Sequence, residues 1–289
     1  AEALQQLQGI QAEINEADAM MVRGIVLLAL QERELATQAF FTALKSCPAC
    51  ADAYSGLAEL AELSGDEEAV FRLREQAAAC AGWKQSLLER YHGAIHTQEQ
   101  LLRAELIMKE LRHCYPDVLT LKNLHIDLLL RLQRDNEAMD AIETLLISSD
   151  APRPGLYEAA WQVRSRLGPL QVTAERQQLG ITVSLCMIVK DEEHNLPICL
   201  ASVKPLIDEM IVVDTGSTDR TREVAEIFGA IVIESSWSGD YSSARNLALA
   251  QARGKWILSL DADEVISPLD YTAFRRMVAD SALSLIHIS

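Results

Sequence analysis

Trp256-Ile-Leu-Ser-Leu-Asp-Ala-Asp-Glu-Val-Ile266 decides how the C-terminal part of this chain is read. Trp256 to Leu260 is a short, mostly apolar run, and three carboxylates follow it closely: Asp261, Asp263 and Glu264. A run of that length bounded by acids reads as a buried strand. In open α/β sheets ligands bind outside the carboxyl ends of the strands, which is where these acids fall. Asp261 and Asp263, one residue apart on a turn, can share a hard divalent cation, which takes oxygen ligands and leaves positions for substrate phosphates. D-x-D alone is common and reads first as a solvated acidic turn, so the flanking sequence has to decide.

Upstream, strands and helices alternate. Ile181 to Val189 is rich in β-branched and apolar residues, as a strand buried on both faces should be. A helix is expected from about Asn195 to Val203 and a second strand from Glu209 to Val213, ending at Asp214. Ser217, Thr218 and Asp219 offer N-caps to a helix from Arg220 to Phe228. Gly229 ends it, Ala230 to Ile233 is a third strand, and Ser242 to Ala252 is helical. Strands alternating with helices of this length argue for a mostly parallel sheet. Acidic or polar groups then gather at three strand ends: Lys190-Asp191-Glu192, Asp214-Thr215-Gly216-Ser217 and Asp261-Ala262-Asp263.

These stretches carry a resemblance. Met187 to Glu193, Val212 to Asp219, Trp237 to Asn246 and Leu260 to Glu264 resemble, in order, the M-I-V-K-[ND]-E-E, V-V-D-T-G-S-T-D, W…D-[FY]-S…A-R-N and L-D-A-D-E motifs of family 2 glycosyltransferases of GT-A fold. The resemblance implies transfer of a sugar from a nucleotide donor, usually with inversion. It places Asp214 on the donor base, Asp261 on the ribose or base side and Asp263 on Mn²⁺ or Mg²⁺ across the diphosphate. It puts Arg245 on the diphosphate, which a planar guanidinium suits, and Lys190 against the nucleotide. Asp191, Glu192 and Glu193 are expected to favour the N-terminus of the following helix electrostatically, and Trp237 to serve packing. The acceptor is unspecified, and no general base is assigned.

Other readings compete. Asp214-Thr-Gly-Ser217 resembles an aspartic protease signature, but that fold is all-β and needs a second such carboxylate. Asp261-Ala-Asp263-Glu-Val265 resembles a haloacid-dehalogenase-type phosphatase, with Asp261 as nucleophile and Asp263 as acid/base; that leaves Asp214 and Arg245 unexplained. A third possibility is a tetratricopeptide scaffold carrying a non-catalytic transferase remnant.

Residues 1–180 follow a different rule, a period of 34. Pro48, Gly82, Pro116 and Asp150 fall on it, as do Ala36, Val70, Ala104 and Ala138. Ala43, Ala77, Leu111 and Leu145 form a third series, and Leu27, Ala61, Ile95 and Leu129 a fourth. Small residues recur where paired helices approach closely, and Pro or Gly recurs where a helix must stop. Gly24, Ala36, Phe40 and Pro48 have tetratricopeptide spacing, while Met20, Arg23 and Leu27 replace the usual Trp, Leu and Tyr. The stretch 17–150 therefore resembles about four tetratricopeptide units, with Arg74 standing where Phe40 stands one period earlier and His92 where Gly24 stands two periods earlier.

The expected fold is thus an N-terminal tetratricopeptide-like helical solenoid followed by a partial GT-A domain with a Rossmann-like, parallel-rich sheet. Residues 1–167 hold the repeats and a capping helix, 168–180 a linker, and 181–282 the nucleotide-binding half of the transferase domain. Leu283 to Ser289 reads as a translated sequencing adapter, hence a non-native tail that leaves the chain inactive for want of its acceptor half; its other reading is a short apolar strand.

Composition bounds the partners. The 289 residues carry a formal charge of −16, divided as −9 over 1–180 (17 Lys and Arg against 26 Asp and Glu) and −7 over 181–289 (9 against 16). With no basic run, a nucleic-acid partner is not expected; a nucleotide sugar bridged by a metal is compatible with acidic surroundings. A protein or peptide partner is expected on the repeats. No apolar run approaches a bilayer span. The six cysteines lack the density of a secreted scaffold, which points to a reducing, cytoplasmic setting. They are expected to be structural, with Cys80 and Cys114, 34 apart, as packing positions.

Overall fold

The computed structural model describes residues 15–148, 154–172, 182–237, 239–280 and 285–287, with single positions 174 and 178. Ile181, Pro152 and residues 173, 175–177 and 179–180 of the expected linker lie outside the described residues. The chain forms two compact units, Ala1–Arg134 and Asp135–Ser289.

The first unit is helical: α1 Glu16–Ala29, α2 Arg33–Ser46, α3 Ala51–Ser64, α4 Glu67–Cys80, α5 Gln85–Gly93, α6 Gln98–Cys114 and α7 Leu119–Arg131. The period is visible in where helices stop. The second helices of the first three units end at Ser46, Cys80 and Cys114, each two residues before Pro48, Gly82 or Pro116. Starts are set by side chains that satisfy free N–H groups: Asp66 accepts from Ala69 N at 3.0 Å, and Thr97 with Gln100 makes a capping box. Ala36, Ala43, Ala77, Ala104 and Leu27 are buried as the repeat requires. Phe40 is fully buried, its ring lying against Gly24 of α1 and Gly56 of α3, where any Cβ would collide with it. Arg74, at the equivalent position one repeat on, instead pairs with Glu62 and donates to the Arg90 backbone oxygen at 3.0 Å. The cysteine expectation needs correction. Cys80 is half-buried beside Ala77 and Leu87, but Cys114, the last residue of α6, is exposed.

The second unit begins with two more helices, α8 Asp135–Ser148 and α9 Pro154–Leu167. By period they continue the repeat; by packing they belong with the sheet. Buried Glu143 of α8 accepts from Lys204 Nζ at 2.8 and 2.6 Å and from Arg164 at 3.4 Å. Leu170 N donates to the Gly229 oxygen at 2.8 Å, so the first residues after α9 are also held. Gly229, at φ 92°, leaves room for that approach: a Cβ would meet Leu170 N at 3.1 Å.

The sheet follows: β1 Val183–Val189, α10 Leu196–Val203, β2 Glu209–Asp214, α11 Thr221–Ile227, β3 Ile231–Glu234, α12 Tyr241–Gln251, β4 Trp256–Ser259, α13 Tyr271–Asp280 and β5 Leu285–His287. All pairs are parallel and the strand order is β3-β2-β1-β4-β5. The backbone of Leu285–His287 thus adopts the short strand that was one of the two readings of that segment. The chain builds outward through β1, β2 and β3 and then returns to β4. Right-handed crossovers therefore place α10 and α11 on one face and α12 on the other. At the amino edge, buried Glu209 accepts from Ser184 Oγ, Arg253 N and, at 3.1 Å, Gly254 N, which pins the entry to β4. Among the described residues no helix is long and apolar enough to cross a membrane.

Candidate functional site

Reversal of strand order between β1 and β4 opens a crevice at their carboxyl ends, the point where open α/β sheets bind ligands. A cleft of about 510 Å³ lies there. Its walls come from the loop after β1 (Lys190, Glu192), from Thr215 after β2, from Trp237, Tyr241 and Arg245 on and before α12, and from Asp261 and Asp263 after β4.

The structure brings together four of the five residues singled out from sequence. Lys190, Arg245, Asp261 and Asp263 are exposed and line this cleft. None of these four side chains has a hydrogen bond or ion pair among the described residues, which leaves two cations and two carboxylates open to a ligand. Asp214 is placed differently. It is 2% exposed and does not line the cleft; both its oxygens accept from Ser217 N at 3.2 Å, Ser217 Oγ also donates to it, and Arg222 lies 3.8 Å away.

The D-x-D turn is closed by its own third acid. Glu264 Oε2 accepts from Asp261 N at 2.9 Å, and Glu264 N donates to the Asp261 oxygen at 3.1 Å. Glu264 is thereby turned back on the chain, while Asp261 and Asp263 face the cleft. Ala262 is buried between them. Beneath the turn, Cys199 Sγ lies 3.5 Å from the Asp261 oxygen. Burial, then the Glu264, Asp263 and Asp261 carboxylates, pushes this thiol up to about 12, and burial followed by Glu209 pushes Cys186 at the cleft floor up to about 11. Both stay protonated at neutral pH, so neither offers the thiolate that nucleophilic or metal chemistry requires.

The loops after β1 and β2 are clasped together. Asp191 N donates to Ser217 Oγ at 2.9 Å, and Asp191 Oδ1 accepts from Thr218 N at 2.7 Å. Glu192 N donates to Thr221 Oγ1 at 2.6 Å and Glu193 N to Asp219 Oδ2 at 3.1 Å, while Glu193 Oε2 accepts from Arg220 N at 2.9 Å. The expected role of Asp191 and Glu193 at the start of the next helix is therefore corrected: their carboxylates bind the neighbouring loop. Asp219 is held below the usual carboxylate range: burial raises it, but bonds from Thr221 and from backbone N–H groups outweigh that. Trp237 is also corrected. It is 43% exposed and lines the cleft instead of filling the core. Its place inside an ordered motif beside Tyr241 was the available signal.

Residues 184–281 match the family model described as glycosyl transferase family 2. A Synechococcus elongatus protein named as TPR repeat-containing is 55% identical over 96 residues, 33% of this chain and 24% of its own length. A Rickettsia typhi protein named as an uncharacterized glycosyltransferase is 40% identical over 85 residues, 29% of each chain. This chain thus spans about a quarter of the length of these curated relatives. The solved structure of YrrB, described as a TPR protein with an unusual peptide-binding site, aligns with 55% of this chain and 82% of its own at 14% identity and a TM-score of 0.41. Residues 184–281 thus resemble family 2 glycosyl transferases, and they follow helices that recur with a 34-residue period.

Proposed function

We propose that the chain serves a glycosyltransferase, in which residues 181–282 bind a nucleotide-sugar donor and the helical repeats bind a protein or peptide. The supporting observation is the set of four charged side chains without partners, Lys190, Arg245, Asp261 and Asp263, around one cleft at the strand-order reversal. Two cations beside two open carboxylates suit a diphosphate bridged by a divalent cation. Asp263 would hold Mn²⁺ or Mg²⁺. Among the described residues no group of three or more His, Cys, Asp or Glu stands ready to hold a metal. A cation that takes one or two carboxylates and completes its shell with substrate phosphates fits such a donor set. When bound, it would neutralise charge developing on the leaving nucleoside diphosphate.

The remaining roles belong to the chain. Arg245 offers the diphosphate a planar, two-point donor, and Lys190 adds a compact positive charge. Asp261 takes the ribose side. Asp214 acts on the base side by holding the loop that presents Thr215 to the cleft, since its own oxygens are engaged by Ser217 and Arg222. Transfer proceeds with inversion, and an acceptor hydroxyl needs a general base within hydrogen-bond reach; none of the described residues is assigned that role. Cysteine usage supports a cytoplasmic setting.

Calorimetric titration with UDP-sugars and other nucleotide sugars, with and without Mn²⁺, tests the proposal. Metal-dependent binding by the parent, lost in Asp263→Ala and weakened in Arg245→Ala, is expected. Equal affinity with and without metal would overturn the metal role. Capture of a peptide without any nucleotide binding would favour the scaffold alternative.

A further inference from the structure

Binding of a diphosphate leaves one feature of the cleft unused, an aromatic pair at the start of α12. The rings of Trp237 and Tyr241 meet edge to face, with centroids 4.7 Å apart and planes inclined by 75°. Both line the cleft while remaining 43% and 67% exposed. Tyr241, Arg245 and Ala248 lie four and seven residues along one helix face, and that face borders the cleft. Ala244 and Ala248 also pack α12 onto Cys186 of β1 and Ile211 and Val213 of β2.

Position selects the ligand part. Trp237 follows β3, which pairs with β2, and α12 runs over β2 and β1. The aromatic pair therefore enters from the β1–β2 side, opposite the carboxylates after β4. With the phosphates between Arg245 and Asp263, a nucleoside diphosphate extends its planar base toward Lys190, Thr215 and these rings. Aromatic faces attract any heterocyclic base, and Trp and Tyr do so at small cost in side-chain freedom.

We infer that Trp237 and Tyr241 form an aromatic wall that stacks on the heterocyclic base of the donor nucleotide and determines how strongly the nucleotide is preferred over a bare diphosphate. This wall presupposes the donor site proposed above.

The test compares UDP, GDP and dTDP with inorganic pyrophosphate, a base-free probe, by calorimetry on the 289-residue chain in Mn²⁺. The chains are the parent, Trp237→Ala, Trp237→Phe and Tyr241→Ala. Either alanine change is expected to weaken the bound nucleotide roughly 5- to 150-fold, as loss of one base–aromatic stack does. Pyrophosphate affinity should stay within about twofold, and Trp237→Phe should retain most nucleotide affinity. Unchanged nucleotide affinity in both alanine variants would overturn the wall while leaving the donor site standing. So would an equal loss for pyrophosphate, which would mean a damaged loop. A parent that binds none of the three nucleotides would remove the donor site and the wall together.

Discussion

Arg164 Nε donates to the backbone oxygen of Ile227 across 2.7 Å, tying α9 to the end of α11. The same guanidinium donates to the Gly168 oxygen at 3.1 Å and reaches Glu143 at 3.4 Å. The last helices of the periodic region are thereby part of the unit that carries the cleft. Without Arg164 the buried Ile227 oxygen would lose this donor, which is costly.

Glu143 is the counter-charge that makes this arrangement affordable, lying between Arg164 and Lys204. Glu143→Ala would leave buried Arg164 without a carboxylate and Lys204 with only the exposed Asp140, 3.6 Å away, and should cost about 3–5 kcal/mol. Urea unfolding followed by far-UV dichroism measures it. A cost below about 1 kcal/mol would mean that water replaces the carboxylate.

Asp191 sits at φ 54°, a left-handed conformation that Asn and Asp tolerate better than other side chains, while accepting from Thr218 N. Asp191→Asn should keep both the backbone and the acceptor oxygen and change stability little. Asp191→Ala should cost about 1–3 kcal/mol through the lost bond and the strained backbone. Nucleotide affinity should fall with it, because Lys190 and Thr215 lie on the two clasped loops. Thermal unfolding and calorimetry on both variants check the order.

Phe40 fills the space that Gly24 and Gly56 leave open. Phe40→Ala should lose about 3–5 kcal/mol. Gly56→Ala gains about 1 kcal/mol of helix propensity but forces the ring to move, at about 1–3 kcal/mol, so the net change should be destabilising. A more stable Gly56→Ala protein would mean that the ring has an alternative place.

His125 of α7 is buried, takes a contact from Arg112 at Nδ1 and lies 3.5 Å from Glu105. Burial, then Arg112, pulls it below its ordinary value, with Glu105 opposing. The unfolded chain therefore binds this proton more readily, and the stability held above about pH 6.5 is lost as pH falls toward the folded value. The slope from this group is at most about 1.4 kcal/mol per pH unit. Melting temperatures of the parent and His125→Gln from pH 7.5 to 5 should diverge at neutral pH and converge on acidification; parallel curves would refute the assignment.

Much of the architecture was legible because it is local or periodic. Helix ends at Ser46, Cys80 and Cys114 follow from Pro48, Gly82 and Pro116 two residues later, since a stop needs only its neighbours. Strand ends followed from apolar runs meeting Asp214 and Asp261, and ordered motifs identified the residues of the cleft. Tertiary structure alone decided which of those residues face solvent. Asp214 and Asp261 look alike in sequence, each an acid closing a strand, yet one is buried by Ser217 and Arg222 and the other is open. Trp237, whose sequence suggests packing, is exposed. The clasp joins residues 26 to 29 positions apart, and Arg164 reaches across 63. Such partners are chosen by which strands become neighbours and by the need to satisfy every buried polar group, and neither is written within any one stretch of the chain.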